Sequence, residues 1–166
     1  LKIKLIDAMR ALVRQRLAEH PSDSHLFRAG GTLLDPSFLT IGFGRRFATY
    51  KRASLIFSDF ERLRKLVTSR WTPIQIIFAG KAHPADDPGK KILQQVFNAC
   101  QNEQLGGRIA FLEDYDEQYA QYMLHGVDLW LNNPLPPLEA CGTSGMKAAV
   151  NGVPHMSILD GWWLEG

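Results

Sequence analysis

Between residues 38 and 159, short apolar runs alternate with longer stretches whose apolar residues recur every three or four positions. The runs read as strands near residues 38–43, 74–78, 108–112, 127–131 and 155–159. The stretches between them read as helices. One starts at about Thr49 with Ile56, Phe60, Leu63 and Val67 on one face. A second follows Pro88 with Ile92, Leu93, Val96, Phe97 and Cys100, a third spans Glu117 to Leu124, and a fourth runs from about Ser144 to Asn151. Strand and helix in regular alternation imply parallel strands joined by crossover helices. The fold class is therefore α/β, an open, doubly wound parallel sheet with helices on both faces. A further helix precedes it, with Leu5, Ile6, Met9, Leu12, Val13 and Leu17 in step, and His20-Pro21-Ser22-Asp23 stops it. This divides the chain into an N-terminal helix and linker, 1–34, and an α/β domain, 35–166.

Composition removes several functional classes. Hydrophobic residues make up 45% of the chain, enough for a packed core. No apolar run nears the roughly 20 residues of a membrane span. Leu1-Lys2-Ile3-Lys4 lacks the apolar stretch of a signal peptide. There is no initiator Met, which points to a piece of a longer protein. A net charge of +2 gives no reason to expect a nucleic-acid partner. Cys100 and Cys141 have neither disulfide nor metal spacing, and they fit a reducing cytoplasm. No metal site is expected; His83 and Asp86-Asp87 read as solvated turn residues.

In open α/β sheets, ligands sit outside the carboxyl ends of the strands. The segments to search are therefore Gly44 to Lys51, Gly80 to Asp87, Glu113 to Tyr115 and Asn132 to Lys147. Gly42-Phe43-Gly44 lacks the third glycine of a dinucleotide fingerprint, since Phe47 stands there. Gly142-Thr143-Ser144-Gly145-Met146-Lys147 lacks the Gly-Lys-Ser/Thr of a Walker loop. What remains is a small, flexible segment that opens a helix, with Lys147 in its first turn. Unpaired amides and the positive end of the dipole suit such a terminus to phosphate. The same glycines also suit a tight packing turn with Lys147 in solvent, and spacing leaves both readings open. Arg45, Arg46 and Lys51, read by themselves a solvated face, fall on the same sheet edge. Together the two elements point to an anionic ligand.

Glu139-Ala140-Cys141-Gly142-Thr143-Ser144-Gly145-Met146-Lys147 resembles the pyridoxal-phosphate signature of the α-glucan (glycogen, starch, maltodextrin) phosphorylases. Ile41-Gly42-Phe43-Gly44-Arg45-Arg46-Phe47-Ala48-Thr49-Tyr50-Lys51-Arg52 resembles the family's basic strand-to-helix segment. Ala79-Gly80-Lys81-Ala82 and Phe111-Leu112-Glu113-Asp114-Tyr115 also match, in the family's order. The resemblance covers about residue 35 to the end and is nearest to the shorter bacterial and archaeal branch. It implies the Rossmann-like C-terminal half of a two-domain GT-B fold.

The resemblance also implies roles. Lys147 is the expected covalent anchor of pyridoxal phosphate, with Thr143, Ser144 and Arg45 around the cofactor phosphate and Tyr115 beside the cofactor. Arg46 and Lys51 are the expected catalytic cations on the substrate phosphate. Glu139, Cys141 and Gly142 are expected to contact the glucosyl unit. The implied reaction is glucan phosphorolysis giving glucose 1-phosphate with retention, the cofactor's phosphate relaying a proton. The implied partners are an α-glucan, inorganic phosphate, an absent N-terminal domain and, through exposed apolar surface, a second copy of the chain. Two positions depart from the family pattern: Cys141 stands in place of Ser, and Arg45 stands where many relatives have Lys. The alternatives are a nucleotide-sugar glycosyltransferase domain, which has no use for Lys147, and a noncatalytic phosphate- or cofactor-binding module.

Overall fold

The computed structural model describes residues 1–22 and 25–165. Asp23, in the expected stop after the first helix, lies outside them. Helix α1 spans Lys2–Glu19 and α2 spans His25–Ala29. The strands are β1 (Leu39–Gly44), β2 (Ile74–Ala79), β3 (Ile109–Leu112), β4 (Leu129–Asn132) and β5 (His155–Ser157). Between them lie α3 (Phe60–Val67), α4 (Asp87–Cys100), α5 (Glu117–Gly126) and α6 (Thr143–Val150). All pairings are parallel, in the order β3-β2-β1-β4-β5. The order reverses between β1 and β4, and the crevice at such a switch point is where these folds bind ligands.

Side-chain alternation along the strands builds two cores, one on each face of the sheet. Ile77, Ala79, Ala110, Leu112 and Trp130 pack with Leu5, Ile6 and Met9 of α1 and Met123 and Leu124 of α5. Phe43, Ile76, Phe78, Ile109 and Phe111 pack on the other face with Leu63 and Val67 of α3 and Val96 and Cys100 of α4. The segment 1–34 thus contributes Leu5, Ile6, Met9 and Leu34 to a core under the sheet. Gly126 lets α5 approach α1, because a Cβ there would lie 2.7 Å from Cβ of Leu5.

Local capping sets three helix starts. Asp59, Asp86 and Asp116 accept from the amides of Arg62 (3.0 Å), Gly89 (2.9 Å) and Tyr119 (2.9 Å). Asp86 is therefore the cap of α4 rather than only a solvated turn residue.

The expected helix from Thr49 is broken. Residues Thr49–Lys51 and Ala53–Phe57 form short 3-10 turns, and α3 begins at Phe60. Arg52 sits between the turns in the left-handed region, φ 50°. Its guanidinium donates to the carbonyls of Asn133 (2.9 Å) and Pro134 (2.6 Å). Those tertiary bonds outweigh the local helical period.

Candidate active site at the switch point

β1 and β2 continue past their last ladder residues. The amide of Arg45 donates to Ala79 O (3.0 Å) and that of Phe47 to Lys81 O (2.9 Å). Only a glycine fits opposite, since a Cβ on Gly80 would lie 1.8 Å from the carbonyl oxygen of Arg45. Arg45 is thus fixed as an extension of the sheet, at the carboxyl end of β1.

The loop after β4 crosses over Arg45. Its Glu139 is buried, and its carboxylate accepts from Nη2 of Arg45 (2.5 Å) and from Nζ of Lys51 (2.6 Å to Oε1, with a second contact to Oε2). Arg45 and Lys51 are themselves buried, 6% and 7% exposed, so the group is a buried triad with two cations on one carboxylate. Burial depresses the Arg45 guanidinium, and the charge and hydrogen bond of Glu139 oppose that shift. Lys51 also lies over the Tyr50 ring, 4.7 Å from its centre.

The triad forms one wall of an open cleft of about 970 Å³. Gly44 and Trp130 contribute to it, α5 supplies Glu117, Ala120 and Gln121 together with its cap Asp116, and α6 supplies Thr143, Ser144 and Lys147. Every sequence-predicted site residue lines this cleft: Arg45, Arg46, Lys51, Tyr115, Glu139, Cys141, Gly142, Thr143, Ser144 and Lys147. Arg46, Thr143 and Lys147 are exposed in it, and Ser144 and Cys141 are half-buried. Burial pushes the Tyr115 hydroxyl up to about 12, so it stays protonated and able to donate.

The α6 end differs from the sequence reading in one respect. Gly142, at φ 84°, is the N-cap, and the helix starts at Thr143. Lys147 is therefore its fifth residue, in the second turn rather than the first. Gly142 offers no side-chain cap, and while the amide of Gly145 donates to Gly142 O (3.0 Å), those of Thr143 and Ser144 stand at the open end of α6. Three buried donors on cleft-lining residues have no partner among the described residues: Nη1 of Arg45, Nε1 of Trp130 and Oγ of Ser144. Unpaired buried donors are costly, and an acceptor-rich ligand is the group that relieves them.

The sequence reading missed the groups that hold the cleft loop. Asp160 is buried, and its carboxylate accepts from the amides of Glu139 (2.8 Å) and Gly161 (3.0 Å). Trp162 N donates to Cys141 O (2.9 Å). Its indole stacks on His155 at 6.1 Å and 5°. His155 in turn lies against Gly145, where a Cβ would come within 2.3 Å of the imidazole. The Asp160-Gly161 pair is a turn signal that marks this place in the sequence. His83, singled out as a turn residue, lies in a neighbouring pocket with Lys81 and Pro84.

Fold and site together define a doubly wound α/β domain with a cationic cleft at its switch point. The chain belongs to the carbohydrate phosphorylase family, whose profile matches residues 10–165. A glycogen phosphorylase of Aquifex aeolicus (strain VF5) is 59% identical over 165 residues, 99% of this chain and 24% of that protein. A glycogen phosphorylase of Mycobacterium tuberculosis (strain ATCC 25618 / H37Rv) is 48% identical, covering 99% of this chain and 19% of that protein. A maltodextrin phosphorylase of Thermococcus litoralis is 54% identical over 133 residues, 80% of this chain and 16% of that protein. The chain spans about a quarter or less of the length of these relatives.

Proposed function

We propose that this chain carries the phosphate-binding wall of an α-1,4-glucan phosphorylase site, with pyridoxal phosphate as its cofactor on Lys147. The substrates in this reading are an α-glucan and inorganic phosphate, the product is glucose 1-phosphate with retention, and a further domain closes the cleft. One observation carries the reading: two buried cations share one carboxylate, beside an uncapped helix terminus and unpaired donors, in the cleft that Lys147 lines.

The residues fit the cofactor. Arg45, Ser144 and the first amides of α6 suit its phosphate, and Lys147 supplies an amine for its aldehyde. When bound, the cofactor supplies a phosphate group able to pass a proton to and from the substrate phosphate. Lys51 and Arg46 hold and orient the substrate phosphate. Glu139 neutralises one of the two buried charges, so the pair tolerates burial and the triad remains cationic. Tyr115 keeps its proton and donates a hydrogen bond beside the cofactor. Cys141 and Gly142 present the loop to the sugar.

The test is to add pyridoxal phosphate to the chain, reduce with borohydride and map the labelled peptides. Label on Lys147, absent in Lys147→Ala, is the expected result. Label spread over surface lysines and unchanged by that substitution would overturn the reading.

A further inference from the structure

The loop that carries Glu139 runs from residue 133 to residue 142 and is rich in proline. Proline lacks an amide hydrogen, so such a loop has few internal hydrogen bonds with which to hold its own shape. It is pinned at its start by Arg52, which donates to Asn133 O and Pro134 O, and by Leu135 N, which donates to Tyr50 O (2.7 Å). Its far end is pinned from a different direction, by the segment after β5.

There the carboxylate of Asp160, 4% exposed, takes the Glu139 amide on one oxygen at 2.8 Å and the Gly161 amide on the other at 3.0 Å. Gly161 turns the chain at φ 59°, and its Cα approaches the loop so closely that a Cβ would lie 2.5 Å from Cys141 O. Trp162 N then donates to that same carbonyl at 2.9 Å.

We propose that Asp160 is a positioning residue for the cleft: it acts through the backbone of Glu139 to keep that carboxylate between Arg45 and Lys51. This role rests on the phosphorylase reading for its purpose, since the cations it orders are those assigned to the two phosphates. The physical argument is independent of it. The Glu139 amide is buried in a loop with no ladder to satisfy it, and Asp160 supplies its acceptor. With the backbone fixed, the carboxylate reaches both cations. Without that anchor Glu139 retreats, and Lys51 is left in the wall with no counter-charge.

The experiment follows Lys51 rather than turnover. Amine acetylation with N-hydroxysuccinimidyl acetate, read by peptide mapping of the full chain, reports how well each lysine is protected. Asp160→Asn is nearly isosteric but replaces one carboxylate oxygen with an NH2 group, so the two amides, which sit on different oxygens, no longer have an acceptor each. Lys51 is expected to label faster on the order of tenfold, the loss of about one buried hydrogen bond. Lys2, paired with Asp128 at 2.5 Å at the other end of the sheet, is the internal control and should not change. In a Glu139→Gln background, Asp160→Asn should add nothing, because the group it positions is already neutral. Gly161→Ala tests the same contact by steric displacement. In wild-type chain the Glu139 amide should exchange its hydrogen slowly in spite of its loop position.

The proposal is overturned by any of four results: Lys51 protection unchanged in both variants, Lys51 and Lys2 accelerating together, equal acceleration with and without the Glu139 carboxylate, or free exchange of the wild-type Glu139 amide. A chain that takes no pyridoxal phosphate on Lys147 would sink the phosphorylase reading and leave these labelling rates to be judged separately.

Discussion

His155 shows how one side chain supports the helix terminus within reach of the Arg45 charge. Its ring fills the space that Gly145 leaves open under α6 and stacks on Trp162. Neither ring nitrogen has a hydrogen-bond partner among the described residues. Burial lowers its pKa below the ordinary value of 6.5, and the nearby Arg45 charge adds to that shift. The folded state therefore prefers the neutral imidazole, while the unfolded chain accepts a proton more readily. The resulting stability is present above the unfolded value and is lost as pH falls through the folded one. Thermal midpoints are expected to drop as pH goes from about 7 to about 5, and His155→Phe should flatten part of that slope. An unchanged slope in the variant, measured by thermal unfolding over the pH series, would count against this account. The imidazole's surroundings were not legible in the sequence, where His155 reads only as the start of a strand.

At the scale of elements, the strands were legible because a buried parallel strand is a short apolar run, and the five runs fall close to the five observed strands. The last is shorter than expected, ending at Ser157, and Leu159 beyond it is 60% exposed. Where the reading failed, a distant partner had overruled a local period. Arg52 breaks the expected helix because it reaches across to the loop after β4, and no spacing near residue 52 announces that bond. The pairing of Glu139 with Arg45 is likewise invisible locally, as it joins positions 94 residues apart. The candidate residues could be gathered on one edge of the sheet from the alternation alone, but their mutual bonds could not. Arg52→Ala removes both anchors and leaves the left-handed backbone in place. It is expected to cost about 1–3 kcal/mol in urea unfolding. Hydrogen exchange at Leu135 and Leu138 should quicken with it, and exchange as slow as in wild type would show that the loop does not depend on Arg52.

For the whole molecule, the cleft is broad and open, and the chain spans about a quarter or less of its relatives' length. Glucosyl transfer needs sugar, phosphate and proton donor fixed together away from water, and a misplacement of about 1 Å can cost about a hundredfold in rate. The purified chain with pyridoxal phosphate, a maltodextrin and phosphate is therefore expected to give no glucose 1-phosphate above background. Turnover abolished by Lys147→Ala would show that this wall suffices. The strand order has a consequence for how such a wall comes into being. β1 and β4 are neighbours in the sheet, yet α3, β2, α4, β3 and α5 all lie between them along the chain. The Arg45 and Glu139 sides can meet only after that excursion has been laid down and closed, a long loop whose closure entropy falls due before any contact rewards it. Glu139 and the α6 terminus thus join the Arg45 and Lys51 segment only when the sheet closes, so an anion held between them recognises the completed sheet and shifts the folding equilibrium toward it by mass action.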